Sequence, residues 1–174
     1  MKKFELTNEF ITNMFGTKLF RIRALVEFGD VEAGELGGYV EKESNLGHDD
    51  NAWVYDNAWV YGNARVYGDA QVSGDARVCG NARVYGDARV CGNGDYAYAH
   101  GFGSVNRTTT FFRLKDGGVG VRCGCFYGTL AQFRDKIRET HGESAIAEEY
   151  LDLAALMEKR FRRTGNEQKT EEES

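Results

Sequence analysis

The sequence predicts a mainly β chain built around a short, three-sided parallel β-helix of about eleven six-residue units. Two observations carry this. The 174 residues include 22 Gly and no Pro, where an average chain of this length would hold roughly 12 and 9. The backbone therefore turns often, and turns on Gly. From residue 52 the chain also reads AWVYDN AWVYGN ARVYGD AQVSGD ARVCGN ARVYGD ARVCGN without a gap. Val recurs at 54, 60, 66, 72, 78, 84 and 90, Ala stands two before each Val, and Asn or Asp stands three after it.

Within one unit, Ala-x-Val alternates, so Ala and Val share one face of a very short strand and x points away. Tyr-Gly-Asp/Asn is turn chemistry, because Gly accepts positive φ and Asn or Asp tolerates it. A strand this short with a turn every six residues cannot form hairpins. Three units instead close one coil, and coils stack about 4.8 Å apart with each strand in parallel register. Small Ala and branched Val fill the narrow interior. Pro would delete a ladder donor, so its absence fits.

The register extends backward to Leu46 and Val40, with Ser44 and Gly38 as their small partners. A two-residue insertion lies around Gly47-His48-Asp49-Asp50, and Tyr96 and Phe102 keep the phase forward. The expected domains are a capping hairpin over 1–38, the β-helix over 39–105, a hairpin with two helices over 106–163 and a disordered polar tail over 164–174. In the cap, Leu19–Leu25 reads as a strand. In the C-terminal part, Asp116-Gly117-Gly118 is a hairpin turn. Thr129 with Gln132 forms a capping box before a helix with the stripe Leu130, Phe133, Ile137. His141-Gly142 ends that helix. A second helix over about Ser144–Arg162 carries the stripe Ile146, Tyr150, Leu153, Met157, which needs a surface to dock on. That surface is either the hairpin or a second copy, and the stripe is taken as an oligomerisation face.

Stacking every 18 residues sets Trp53, Gln71 and Arg89 on one outer face, Trp59, Arg77 and Asp95 on the second, and Arg65 and Arg83 on the third. Arg over Trp allows cation–π stacking. No Lys occurs between Lys42 and Lys115, and Arg is favoured over Lys at interfaces. These rows either shield the sheets or form a partner-binding surface of Trp53, Tyr55, Trp59, Tyr61, Arg65, Arg77, Arg83 and Arg89. A net charge of −5 argues against a generic nucleic-acid binder. MKKFELTNEF turns polar at once, so no signal peptide is expected, and no window has the apolar length of a membrane helix. The expected location is cytoplasmic. Cys79, Cys91, Cys123 and Cys125 form no paired metal motif, and no metal is expected.

The repeat resembles the hexapeptide-repeat family, which implies a left-handed parallel β-helix. Here Gly follows the aliphatic residue by two, as in Val66-Tyr67-Gly68, rather than by about one. The string LFRIRAL…FGDVEAGELGGYVEKESNL before the repeat resembles phage- and prophage-encoded proteins often labelled transferase-like. That likeness implies a fold and a genomic context. The regular scaffold, the aromatic patch and the lack of a catalytic set point to a non-catalytic binding protein, a dimer or trimer with no cofactor. The phage-like context makes the expected partner a host protein in the host cytoplasm, with inhibition of host defence as its role. The alternative, which the hexapeptide-repeat resemblance implies, is an acetyl-CoA-dependent acetyltransferase with His48 as general base and Asp49 orienting it. That family's long excursion loop is missing here. A third reading is a structural, polymer-forming virion component.

Overall fold

The computed structural model describes all 174 residues. The chain divides into two compact units, Met1–Asn93 and Gly94–Ser174. It is mainly β, with short parallel repeat strands, an antiparallel N-terminal sheet, a C-terminal hairpin sheet and two helices. No helix is long and apolar enough to cross a membrane.

In the first unit, β1 (Phe4–Thr12) and β2 (Lys18–Ala24) form an antiparallel hairpin. Its turn is closed by Asn13, whose Oδ1 accepts the amides of Phe15 and Thr17. Strand β3 (Leu36–Val40) pairs antiparallel with β2 on one side. On its other side it pairs in parallel with a repeat strand, and so joins hairpin to solenoid. The repeat strands are β4 (Trp53–Val54), β5 (Trp59–Val60), β6 (Arg65–Val66), β7 (Gln71–Val72), β8 (Arg77–Val78), β9 (Arg83–Val84) and β10 (Arg89–Val90).

They stack as three rows. Val54 lies over Val72 and Val90, Val40 over Val60 and Val78, and Leu46 over Val66 and Val84. Every one of these side chains, and every Ala two before a repeat Val, is buried. Each junction is sealed by backbone bonds on both sides of the strand, as in Trp53 N–H to Ala70 O (3.1 Å) and Tyr55 N–H to Val72 O (2.7 Å). At the corners, Gly68 takes φ +71°, a conformation that excludes most side chains. Asp56 replaces Gly at the first corner, adopts φ +53°, and accepts the Gly74 amide on its carboxylate (3.0 Å). Asn51 likewise bonds Asp69 (2.9 Å) and Asn63 bonds Asn81 (3.4 Å), so the polar corners form side-chain ladders.

Two expectations shift in the first coil and at the far end. Ser44 is exposed in a short 3-10 turn, and buried Asn45 fills its place. The Asn45 amide donates to Gly62 O (3.2 Å) and Ala64 O (2.8 Å), which replaces backbone pairing where the insertion breaks the ladder. Tyr96 and Phe102 do not continue the coils. They belong to β11 (Tyr96–Phe102), which pairs antiparallel with β12 (Arg107–Arg113). The repeat therefore ends at β10 rather than reaching residue 105. Gly94 and His100, at the small-residue positions, already break the Ala pattern there.

The second unit is an antiparallel meander of β11, β12, β13 (Val119–Cys123) and β14 (Phe126–Thr129), then α1 (Leu130–His141) and α2 (Ala145–Glu172). Thr129 and Gln132 form the capping box, and Gly142 ends α1 at φ +59°. The helices cover one sheet face around Phe111, Val121, Leu130, Phe133, Tyr150, Leu153 and Phe161. The 164–174 segment, expected to be disordered, continues α2 to Glu172. Thr164 is buried, and its hydroxyl accepts from Arg113 Nη2 (3.1 Å). Gln168 donates to buried Asp95 (2.8 Å), and Arg163 pairs with Glu167 one turn on (2.8 Å). Polar partners in the unit thus hold a stretch that has few apolar residues to bury.

Candidate functional site

The insertion lifts His48 out of the repeat and sets its ring against the chain start. Nδ1 accepts the Lys3 backbone N–H (3.3 Å), which leaves Nε2 as the protonated nitrogen, 2.9 Å from Glu43 Oε1. The ring stacks on Phe4 with centroids 4.3 Å apart. Both nitrogens are thus engaged, and the carboxylate on the ring is Glu43 rather than the exposed Asp49. Glu43 also receives Lys2 Nζ (3.2 Å), which with His48 holds its carboxyl below the usual range. Lys3, His48 and Glu43 form a clip that ties the chain start to the first coil.

Lys3 completes the clip. Its ammonium is buried, donates to Asp50 O (2.5 Å) and Ala52 O (2.8 Å), and lies 4.5 Å from the centre of the Phe28 ring. Burial lowers its pKa to about 8, against the opposite pull of Asp50, Asp49 and Asp69.

Trp53 corrects the expected surface. It is 0% exposed, closed in by Phe4 (ring centroids 6.2 Å) and Phe28 (5.3 Å), both edge-on. Its position points away from the solenoid interior, but non-repeat residues cover that face at the first layer. The signal available in the sequence was Phe4 and Phe28 themselves, large apolar residues with no place in the repeat.

Trp59 remains half-buried and lies on a cross-strand row. Arg21 on β2 faces Tyr39 on β3, Tyr39 faces Trp59 on β5, and Trp59 faces Arg77 on β8. The Arg77 guanidinium sits 4.1 Å from the Trp59 ring centre and that of Arg21 4.9 Å from the Tyr39 ring centre. The Tyr39 hydroxyl donates to Glu9 (3.1 Å). Sequence periodicity reached Trp59 and Arg77. It missed Arg21 and Tyr39, which join the row only because the hairpin extends the same sheet.

Tyr61 occupies the next corner, half-buried, and leads to the face where exposed Arg65 and Arg83 are parallel partners. Tyr67 and Tyr85 meet at the following corner, ring centres 4.6 Å apart and planes tilted by 41°. Arg89 is half-buried, and one guanidinium nitrogen donates to Asp69 O and Ala88 O (2.9 Å each). Tyr55 is half-buried and its phenol pKa is raised, first by burial and then by Asp30 and Glu35. What stays together is Trp59 with Arg77, the Tyr61 corner, and the Arg65–Arg83 pair.

The oligomerisation stripe is also corrected. Tyr150, Leu153 and Met157 are 5–8% exposed within their own unit, and Ile146 packs beside them. The face docks on the hairpin sheet of the same chain, so it is not available to a second copy. No group of three or more His, Cys, Asp or Glu is arranged to hold a metal ion.

Against known proteins, a family described as the YdcK beta solenoid repeat matches residues 58–74 and 76–92. These two segments span the repeat from Ala58 to Gly92, so a YdcK-type beta solenoid repeat is present. No curated protein matches the chain.

Proposed function

We propose that this chain is a non-catalytic binding protein whose solenoid, left-handed in this reading, presents an aromatic and arginine surface to an acidic face of a partner protein. The observation that carries the reading is the Arg77–Trp59 stack on paired parallel strands, with Arg65 and Arg83 beyond the Tyr61 corner. Stacking fixes the guanidinium plane over the Trp59 ring, and Arg and Trp are residue types enriched at protein interfaces. A preordered scaffold loses little freedom on binding. The likeness to phage-encoded proteins supports a host-encoded partner in the host cytoplasm, with interference in host defence as the context and no cofactor required. Oligomerisation, if it contributes, would have to use a surface other than the α2 stripe.

The test compares capture of host proteins by the wild type, by Trp59→Ala with Arg77→Glu, and by Arg65→Glu with Arg83→Glu. A protein recovered by wild type, lost with either pair and weakened by salt supports the reading; equal recovery by all three chains overturns it. The acetyltransferase alternative has a separate readout. Acetyl-CoA turnover that His48→Ala abolishes would replace the binding reading.

A further inference from the structure

Between the hairpin sheet and the helices of the C-terminal unit lies a cavity of about 220 Å³. Phe126, Phe133 and Ile137 supply apolar wall, and Arg107, Lys136 and His141 supply nitrogen donors. No carboxylate side chain lines it. The chain as a whole carries a net charge of −5, so a cavity with only cationic and neutral lining stands apart from the molecule that holds it.

The polar groups there are held in place by close backbone approach. Gly124, at φ +59° in the β13–β14 turn, lies under Arg107, and a Cβ at that position would collide with the guanidinium. A Cβ at Gly103 would likewise collide with the Tyr150 hydroxyl. Tyr150 is buried, and its oxygen accepts from Cys123 Sγ at 4.0 Å, which leaves its own proton to donate. Desolvation, together with Cys123, pushes that phenol up to about 12, so it stays a neutral donor. Lys136 is engaged with Glu139 on the helix surface (3.1 Å), an exposed pair of small net strength that a ligand anion can replace.

Apolar walls with a few convergent donors and no acceptor carboxylate define what such a space can hold. We propose that the cavity binds a small monoanionic amphiphile, a carboxylate with a short aliphatic or aryl tail. The head sits on Arg107 and Lys136 and the tail lies against Phe126, Phe133 and Ile137. A neutral ligand would leave the guanidinium unanswered, and a cation would be repelled by it. This site is independent of the solenoid surface.

The test uses the full chain and three probes with one tail: 3-phenylpropanoate, 3-phenylpropanol and 3-phenylpropylamine. Exposed Cys125 lines the cavity, while exposed Cys91 belongs to the other unit. Iodoacetamide labelling resolved by peptide mass spectrometry then reports occupancy with an internal reference. The carboxylate should slow labelling of Cys125 severalfold and leave Cys91 unchanged, and the alcohol and amine should do neither at the same concentration. Calorimetry should show about tenfold weaker carboxylate binding in Arg107→Gln and unchanged binding in Lys159→Gln, an exposed α2 position away from the cavity. Should Arg107→Gln fail to fold, Lys136→Gln and the contrast among probes on wild type still decide. Equal protection by the alcohol, no protection by the carboxylate, or unchanged affinity in both Arg107→Gln and Lys136→Gln overturns the assignment.

Discussion

His48 Nε2 lies 2.9 Å from Glu43 Oε1 while its Nδ1 receives the Lys3 amide. The first bond spans five residues and the second 45, so one imidazole joins the chain start to the insertion loop. Replacing it with Ala removes the stack on Phe4 and leaves a partly buried amide without its acceptor. His48→Ala should lower stability by about 1–3 kcal/mol in urea unfolding, with partner capture unaltered. A variant as stable as wild type would show that the clip contributes nothing.

Lys3 gives the molecule a pH dependence in the alkaline range. In the unfolded chain its ammonium titrates near the ordinary lysine value of 10.5, and in the folded chain at about 8. Below about 8 both states hold the proton and the burial penalty is fully present. Between about 8 and 10.5 only the unfolded chain keeps it, so stability should rise with pH across that window. Denaturation midpoints for wild type and Lys3→Met, measured across this range, check it. The rise should be smaller in Lys3→Met.

The two Trp should report opposite environments. With Trp59→Phe, the remaining Trp53 should emit at short wavelength and resist acrylamide. With Trp53→Phe, the remaining Trp59 should be quenched readily, and Arg77→Ala should increase its quenching further. Comparable quenching of the two single-Trp chains would contradict the burial of Trp53 under Phe4 and Phe28.

Corner geometry makes a third contrast. Gly16 and Gly68 both hold positive φ, +82° and +71°. A Cβ at Gly16 would meet open space, whereas one at Gly68 would lie 2.8 Å from the backbone nitrogen of Gly86. Gly16→Ala should cost about 1–2 kcal/mol from backbone strain alone, and Gly68→Ala about 1–3 kcal/mol more because the stacked coil must shift. Thermal unfolding of the two variants measures the difference, and equal losses would mean that the coils do not stack this closely.

The parts of the molecule legible in sequence are those where neighbours in space follow from a fixed step along the chain. Val60 over Val78 and Arg77 over Trp59 follow once the period is known. Thr129 with Gln132 is legible because the box closes within one helical turn. Trp53 was misread because its cover, Phe4 and Phe28, lies outside the period. The end of α2 was misread because Gln168 finds Asp95 across 73 residues, and a polar composition does not reveal that. Asn45 was missed because its neighbour Ser44 had the expected size. A side-chain amide that bonds two backbone carbonyls leaves no periodic trace. Arg107 and Gly124 offered no pattern at all, since their meeting depends on the β13–β14 turn.

Coil stacking also sets a counting rule for changes in chain length. Residues that lie over one another along the repeat differ by 18 positions. Duplicating a block of that length would add one layer and keep every outer residue on its face, so the arginine row beside Trp59 would simply lengthen. Duplicating a single six-residue unit would leave the interior intact, because Ala and Val recur in every unit. It would turn everything downstream by a third of a revolution and pair each outer residue with one from a neighbouring face. The core is indifferent to that change and the surface is not, so the decoration of this solenoid tolerates growth only in whole coils.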